Sequence, residues 1–110
     1  MSQTPSILGQ NIPPSDIDTT LFVVPAGKQV QFSIFVANQA IDPDRITIAL
    51  VPGPPTSIET SSNFIAYQTP LLGNAVIAFA GLFLNSGDRV QITSLNGTSS
   101  FTATGIVTAP

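Results

Sequence analysis

From residue 19 onward the chain alternates apolar and polar positions with a period of two. Successive side chains of a strand point to opposite faces of a sheet, so this spacing marks strands with one buried face. Helical spacing is weak everywhere, and proline or glycine interrupts most candidates. The pattern predicts strands near 20–24, 29–37, 45–51, 63–68, 75–80, 82–84, 89–95 and 98–107. Val, Ile, Thr and Phe dominate them, as a pleated, half-buried surface asks. Turn-forming clusters stand between: Pro25-Ala26-Gly27, Asp42-Pro43-Asp44, Pro52-Gly53-Pro54-Pro55, Gly73-Asn74, Ser86-Gly87-Asp88 and Asn96-Gly97. Many short strands with frequent turns predict an all-β fold, an antiparallel β-sandwich of jelly-roll type with about seven or eight strands.

Two turns suggest a register. Asn96-Gly97 favours a two-residue type I′ hairpin. It would set Leu95 opposite Thr98, Ile92 opposite Phe101 and Val90 opposite Ala103, with Gln91–Thr102 and Thr93–Ser100 on the polar face. A tight turn over Ala26-Gly27 would likewise pair Val23 with Val30 and Leu21 with Phe32. Apolar meets apolar in both, so turn chemistry and binary pattern agree.

Residues 1–18 break the alternation and contain Pro5, Pro13 and Pro14. They read as an extended N-terminal arm before a sandwich domain at 19–110. The arm is either a loose terminus or a segment that docks on a neighbour, and Ile7, Leu8 and Ile12 favour docking. The stretch 51–63, "VPGPPTSIETSSN", is the longest loop and reads as a crossing from one sheet to the other. "AVIAFAGLFL", residues 75–84, is a core strand kinked at Gly81; its ten residues are too few for a membrane helix, which needs about 20.

Composition narrows function. Hydrophobic residues make up 43% and charged residues only 8%, against about 25% charged in ordinary domains. Net charge is −3, and Lys28, Arg45 and Arg89 are the only cations. A nucleic-acid binder neutralises several phosphates with such residues, so none is expected as a partner. No membrane partner is expected either. With no Cys and no His, thiol chemistry, disulfides and the usual zinc sites are excluded. "MSQTPSILGQNIPP" lacks the basic and apolar regions of a secretory signal. A weakly charged surface promotes association.

The candidate chemical motifs dissolve on inspection. Gly27-Lys28 lacks the earlier glycine and following Ser or Thr of a phosphate loop, since Phe22 and Gln29 stand there. No serine has a histidine base. Asp16 with Asp18, and Asp42 with Asp44, could be acid–base pairs or calcium ligands, but Asp in such places commonly caps a turn. Asn96-Gly97-Thr98 is formally a glycosylation sequon, which the turn reading explains equally. No catalytic, cofactor or metal residue is assigned, and no enzyme is expected.

Two resemblances remain. "LFLNSGDRVQI", residues 82–92, is similar to the late hairpin of trimeric jelly rolls of the tumour-necrosis-factor and complement type. More widely, Leu8-Gly9-Gln10, Thr19-Thr20-Leu21, Val24-Pro25-Ala26-Gly27-Lys28 and Asn38 resemble the start of a small β-domain found among virion proteins of tailed bacteriophages. Arg45-Ile46, Tyr67 with Pro70, Gly73-Asn74, Leu82 with Leu84, and Gly87-Asp88 continue the likeness, while Pro52–Pro55 departs from it. The resemblance implies a structural subunit on the particle: capsid decoration, neck, tail, baseplate or fibre. Such a subunit would be made in the host cytoplasm and partnered by other virion proteins and by copies of itself, with a trimer expected. The alternative is a host-receptor or carbohydrate-binding module using Tyr67, Phe64 or loop 51–63, with calcium at Asp42 and Asp44.

Overall fold

A computed structural model of the chain describes residues 5–53 and 59–108. Eight strands follow one another: β1 (Pro5–Asn11), β2 (Thr19–Val23), β3 (Gln29–Asn38), β4 (Asp44–Val51), β5 (Phe64–Leu71), β6 (Val76–Leu84), β7 (Arg89–Ser94) and β8 (Ser99–Thr108). Among the described residues one 3-10 turn, at Ser61–Asn63, leads into β5. The strands form two four-stranded antiparallel sheets. Sheet A has the order β1-β8-β3-β6 and sheet B the order β2-β7-β4-β5.

The order has a simple origin. β1 pairs with β8, β2 with β7, β3 with β6 and β4 with β5, all antiparallel. The chain is a long two-stranded ribbon doubled back between β4 and β5, then rolled so that successive segments fall in alternate sheets. This is the jelly-roll arrangement expected from the sequence. Only β4 and β5 are neighbours both along the chain and within a sheet. The core lies between the sheets, where Phe32, Ile34, Val36, Phe101 and Ala103 of sheet A pack with Ile46, Ile48, Val90 and Ile92 of sheet B. Phe22 of β2 meets Phe32 of β3 edge-on, with ring centroids 5.2 Å apart.

That topology overturns both hairpins. β7 pairs with β2 and β4, whereas β8 pairs with β1 and β3. Val90, Ile92, Phe101 and Ala103 are indeed buried, but they belong to opposite sheets of the sandwich. Asn96 does not take the positive φ of a type I′ turn; only Gly97 does, at 70°. Likewise β2 and β3 lie in different sheets. Pro25–Lys28 is a turn, closed by the Lys28 N–H on the Pro25 carbonyl at 3.2 Å with Gly27 at φ 75°. Its two strands then part into separate sheets. The late segment 82–92 is also such an arch rather than a hairpin.

Three further expectations change. The expected arm is not separate from the sandwich: residues 5–11 are β1, an edge strand of sheet A paired along β8. The loop after β4 does not cross between sheets but joins partners within sheet B; its residues 54–58 lie outside the described chain. The two short strands expected over 75–84 are one strand. Its kink is a bulge, where Ala80 and Gly81 together face Ser33 and Gly81 holds φ 75°.

Buried polar side chains fasten the corners at one end. Asp44 opens β4 and is 1% exposed. It accepts hydrogen bonds from the hydroxyls of Ser94 and Ser99 and from the backbone N–H groups of Arg45 and Asn96. Asn38 closes β3. It donates to the carbonyls of Asp42, Leu71 and Leu72, and accepts from Ala40 N–H and the Thr98 hydroxyl. Together they tie the ends of β3, β4, β5, β7 and β8.

Candidate interaction surfaces

The two outer faces differ in charge. None of the four strands of sheet A contains a charged residue. On β3, Val30, Phe32, Ile34 and Val36 point inward, so Gln31, Ser33, Phe35 and Ala37 point outward. The pairing register extends these into rows across the sheet: Ile106, Gln31 and Phe83; Gln10, Thr102, Phe35 and Ala78; Ser100, Ala37 and Val76. Ile7 stands beside Thr104. Phe83 is 67% exposed, Val76 68%, Ile7 61% and Phe35 44%. β6, an edge strand, reads "VIAFAGLFL" without a polar side chain.

Sheet B carries the charge. A groove of about 250 Å³ on its outer side is lined by residues including Arg45 and Thr47 of β4, Tyr67 and Gln68 of β5, and Thr93 of β7. Asp16 and Asp18, from the β1–β2 connection, and Glu59, ahead of β5, complete its acidic side. Gln68 sits at a bulge opposite Thr47 with φ 48°. Its N–H donates to the Thr47 hydroxyl and its carbonyl accepts from Arg45 Nη1 at 3.2 Å. Asp16 also has positive φ, at 56°. Such backbone concentrates where the surroundings enforce it.

Burial raises the Glu59 carboxyl from 4.5 to about 7, with the hydrogen bond and the charge of Asp18 adding to it and Arg89 opposing. Asp44 behaves differently. Burial pushes it upward, but hydrogen bonds from Ser94, Ser99, Asn96 and Arg45 outweigh this and hold it below 3.8.

The residues singled out in the sequence scatter. Lys28 is exposed at its turn, whose Gly27 N–H donates to the Ser86 hydroxyl at 3.0 Å. Asp16 and Asp18 do share one groove. Asp42 and Asp44 do not form a calcium site: each Asp44 oxygen already accepts two hydrogen bonds, which uses the lone pairs a cation would need. Asn96 spends its side-chain amide on the Pro43 carbonyl at 2.9 Å. Phe64 and Tyr67 do meet, with ring centroids 4.8 Å apart, at the rim of the groove. Glu59 had no signal of its own, because its character comes from burial and then from Asp18, remote in sequence.

No known family matches the sequence, and neither does any curated protein. Solved structures are more informative. A chain in the structure of infectious bursal disease virus, Gx strain, superposes with a TM-score of 0.53 at 12% identity, over 98% of this chain and 32% of that one. A chain of the Gt strain gives 0.46 at 16% identity, over 96% and 28%. The protein thus spans about a third of the length of the Gx-strain chain. The first likeness establishes the class: an eight-stranded sandwich with a fold found in a virus structure.

Proposed function

We propose that this chain is a structural subunit of a virus particle, and specifically of a tailed bacteriophage, acting by assembly rather than by chemistry. One observation carries the reading: several of the residues that resemble the phage domain hold corners of the roll. Gly9 lies so close to the Leu21 carbonyl that a side chain would overlap it. Pro25–Lys28 closes a turn, and Asn38 fastens the buried end. Gly73 abuts the Ile41 carbonyl, and Asp88 caps the N–H groups of Gly53 and Asn85. A resemblance that includes these scaffold positions suits a protein whose product is a shape. The low charge and the virus-type fold support the same reading. Quantitative mass spectrometry of gradient-purified particles tests it. Many copies per particle would support the assignment, and a trace that washes away would overturn it.

The groove favours a second reading, a receptor or carbohydrate contact at Tyr67 and Phe64. Calorimetric titration with glycans decides it: heat that disappears in Tyr67→Ala supports binding there, and silence across a panel removes it.

A further inference from the structure

We infer that the outer face of sheet A, with its β6 rim, is where copies of this chain pack against one another. The inference does not depend on the virion reading, since it concerns the isolated chain.

Three observations lead to it. First, charge is partitioned. Every charged residue of the chain lies outside sheet A, although that sheet supplies half the strands. Asp16, Asp18, Arg45 and Glu59 gather on sheet B. A partner recognised by charge would find nothing on sheet A to recognise. A copy of the same face, however, meets it without like-charge repulsion. Self-packing through sheet B would take Asp16, Asp18, Arg45 and Glu59 out of water. Of the two faces, sheet A can be covered without desolvating a charge.

Second, the exposed apolar residues are arranged for contact. Phe83, Phe35, Val76 and Ile7 project from different rows of one face, with Thr, Ser and Gln between them. One shallow depression is lined by Phe83 and Ile106, and a second by Gly81, Gly105 and Ile106. Apolar projections beside hollows on one surface are what a self-complementary interface needs.

Third, the size is adequate. Four strands of up to 10 residues, about 4.8 Å apart with about 3.3 Å per residue, span roughly 600 Å². With the β6 rim this comes close to the about 800 Å² per partner of a standard interface. The rim adds a reason. β6 is a long apolar edge without the Lys or Pro that commonly guards one, and only its bulge at Gly81 interrupts it. The bulge disfavours simple strand-to-strand extension of the sheet and leaves packing through the face.

Sedimentation velocity of the full chain over a range of concentration tests this, with Phe83→Glu and Val76→Glu on the face and Val23→Glu, at an exposed position opposite Arg89, on sheet B. The wild type and Val23→Glu should sediment as the same oligomer. Each face variant should weaken association at least about tenfold while keeping its β-sheet circular dichroism. Raising salt should not dissociate the oligomer, because no ion pair holds it. Amide exchange on the wild type gives a readout free of mutation: β3 and β6 amides should slow as concentration rises. A monomer at high micromolar concentration would overturn the inference, as would folded face variants that remain fully assembled or concentration-dependent protection located on sheet B.

Discussion

Ser99, the first residue of β8, donates its hydroxyl to Asp44, the first residue of β4, at 2.6 Å across the interior of the sandwich. Ser94, the last residue of β7, donates to the same carboxylate oxygen. One aspartate thus ties both ends of the 95–98 arch, across which β7 and β8 separate into different sheets. Asp44→Ala leaves two buried hydroxyls and two backbone N–H groups without their acceptor. It should cost more than about 3 kcal/mol, read from urea unfolding. Asp44→Asn, which keeps the shape and part of the acceptor capacity, should cost less.

The same carboxylate sets an acid limit. Its folded-state value lies below 3.8, so on acidification the unfolded chain takes up the proton first. Asp44 therefore stabilises the fold above that value and ceases to do so as pH falls through its lower, folded value. Thermal scans should show a loss of stability at acidic pH that is smaller in Asp44→Asn.

Glu59 acts in the opposite direction. Raised from 4.5 to about 7, it keeps a proton in the folded chain that the unfolded chain has already released. Stability should fall as pH rises through this window. Glu59→Gln should raise the melting temperature at pH above 7, with the gain vanishing as pH approaches 4.5. A variant whose effect is the same at all pH values would refute the raised Glu59 carboxyl.

Glycine separates two kinds of corner. Gly27 has φ 75° with open space around it, whereas an added Cβ at Gly73 would overlap the Ile41 carbonyl. Gly27→Ala should cost about 1 kcal/mol, for a left-handed backbone alone. Gly73→Ala should cost several times more, because backbone must move. Lys28→Ala, at an exposed turn position, should leave the unfolding free energy within about 0.5 kcal/mol of wild type.

Phe101 is fully buried between the sheets. Its truncation to alanine should cost about 3–5 kcal/mol, a large share of the about 5–15 kcal/mol available to a domain.

The strands were legible in the sequence because period two is a local property. Their partners were not. An arch carries alternation through its turn just as a hairpin does, so Val90, Ile92, Phe101 and Ala103 read identically in either. What distinguishes the two is Asp44, about 50 residues from Ser94 and Ser99 in the chain and unreadable as their partner from spacing. β1 was missed because a bulge between Ile7 and Gly9 breaks its alternation. The scarcity of charge was plain in the composition, but its exclusion from one face emerged only with strand order. The groove draws on residues 16, 18, 45, 59 and 67, a set no local pattern could gather.

The account's central claim is that this rolled sandwich is a building unit of a particle. Cryo-electron microscopy of purified particles carrying the chain tests it most directly. The account predicts ordered density for the eight-stranded roll, repeated under the particle's symmetry, with the face bearing Phe35 and Phe83 buried against protein. Particles that lack such density would contradict it.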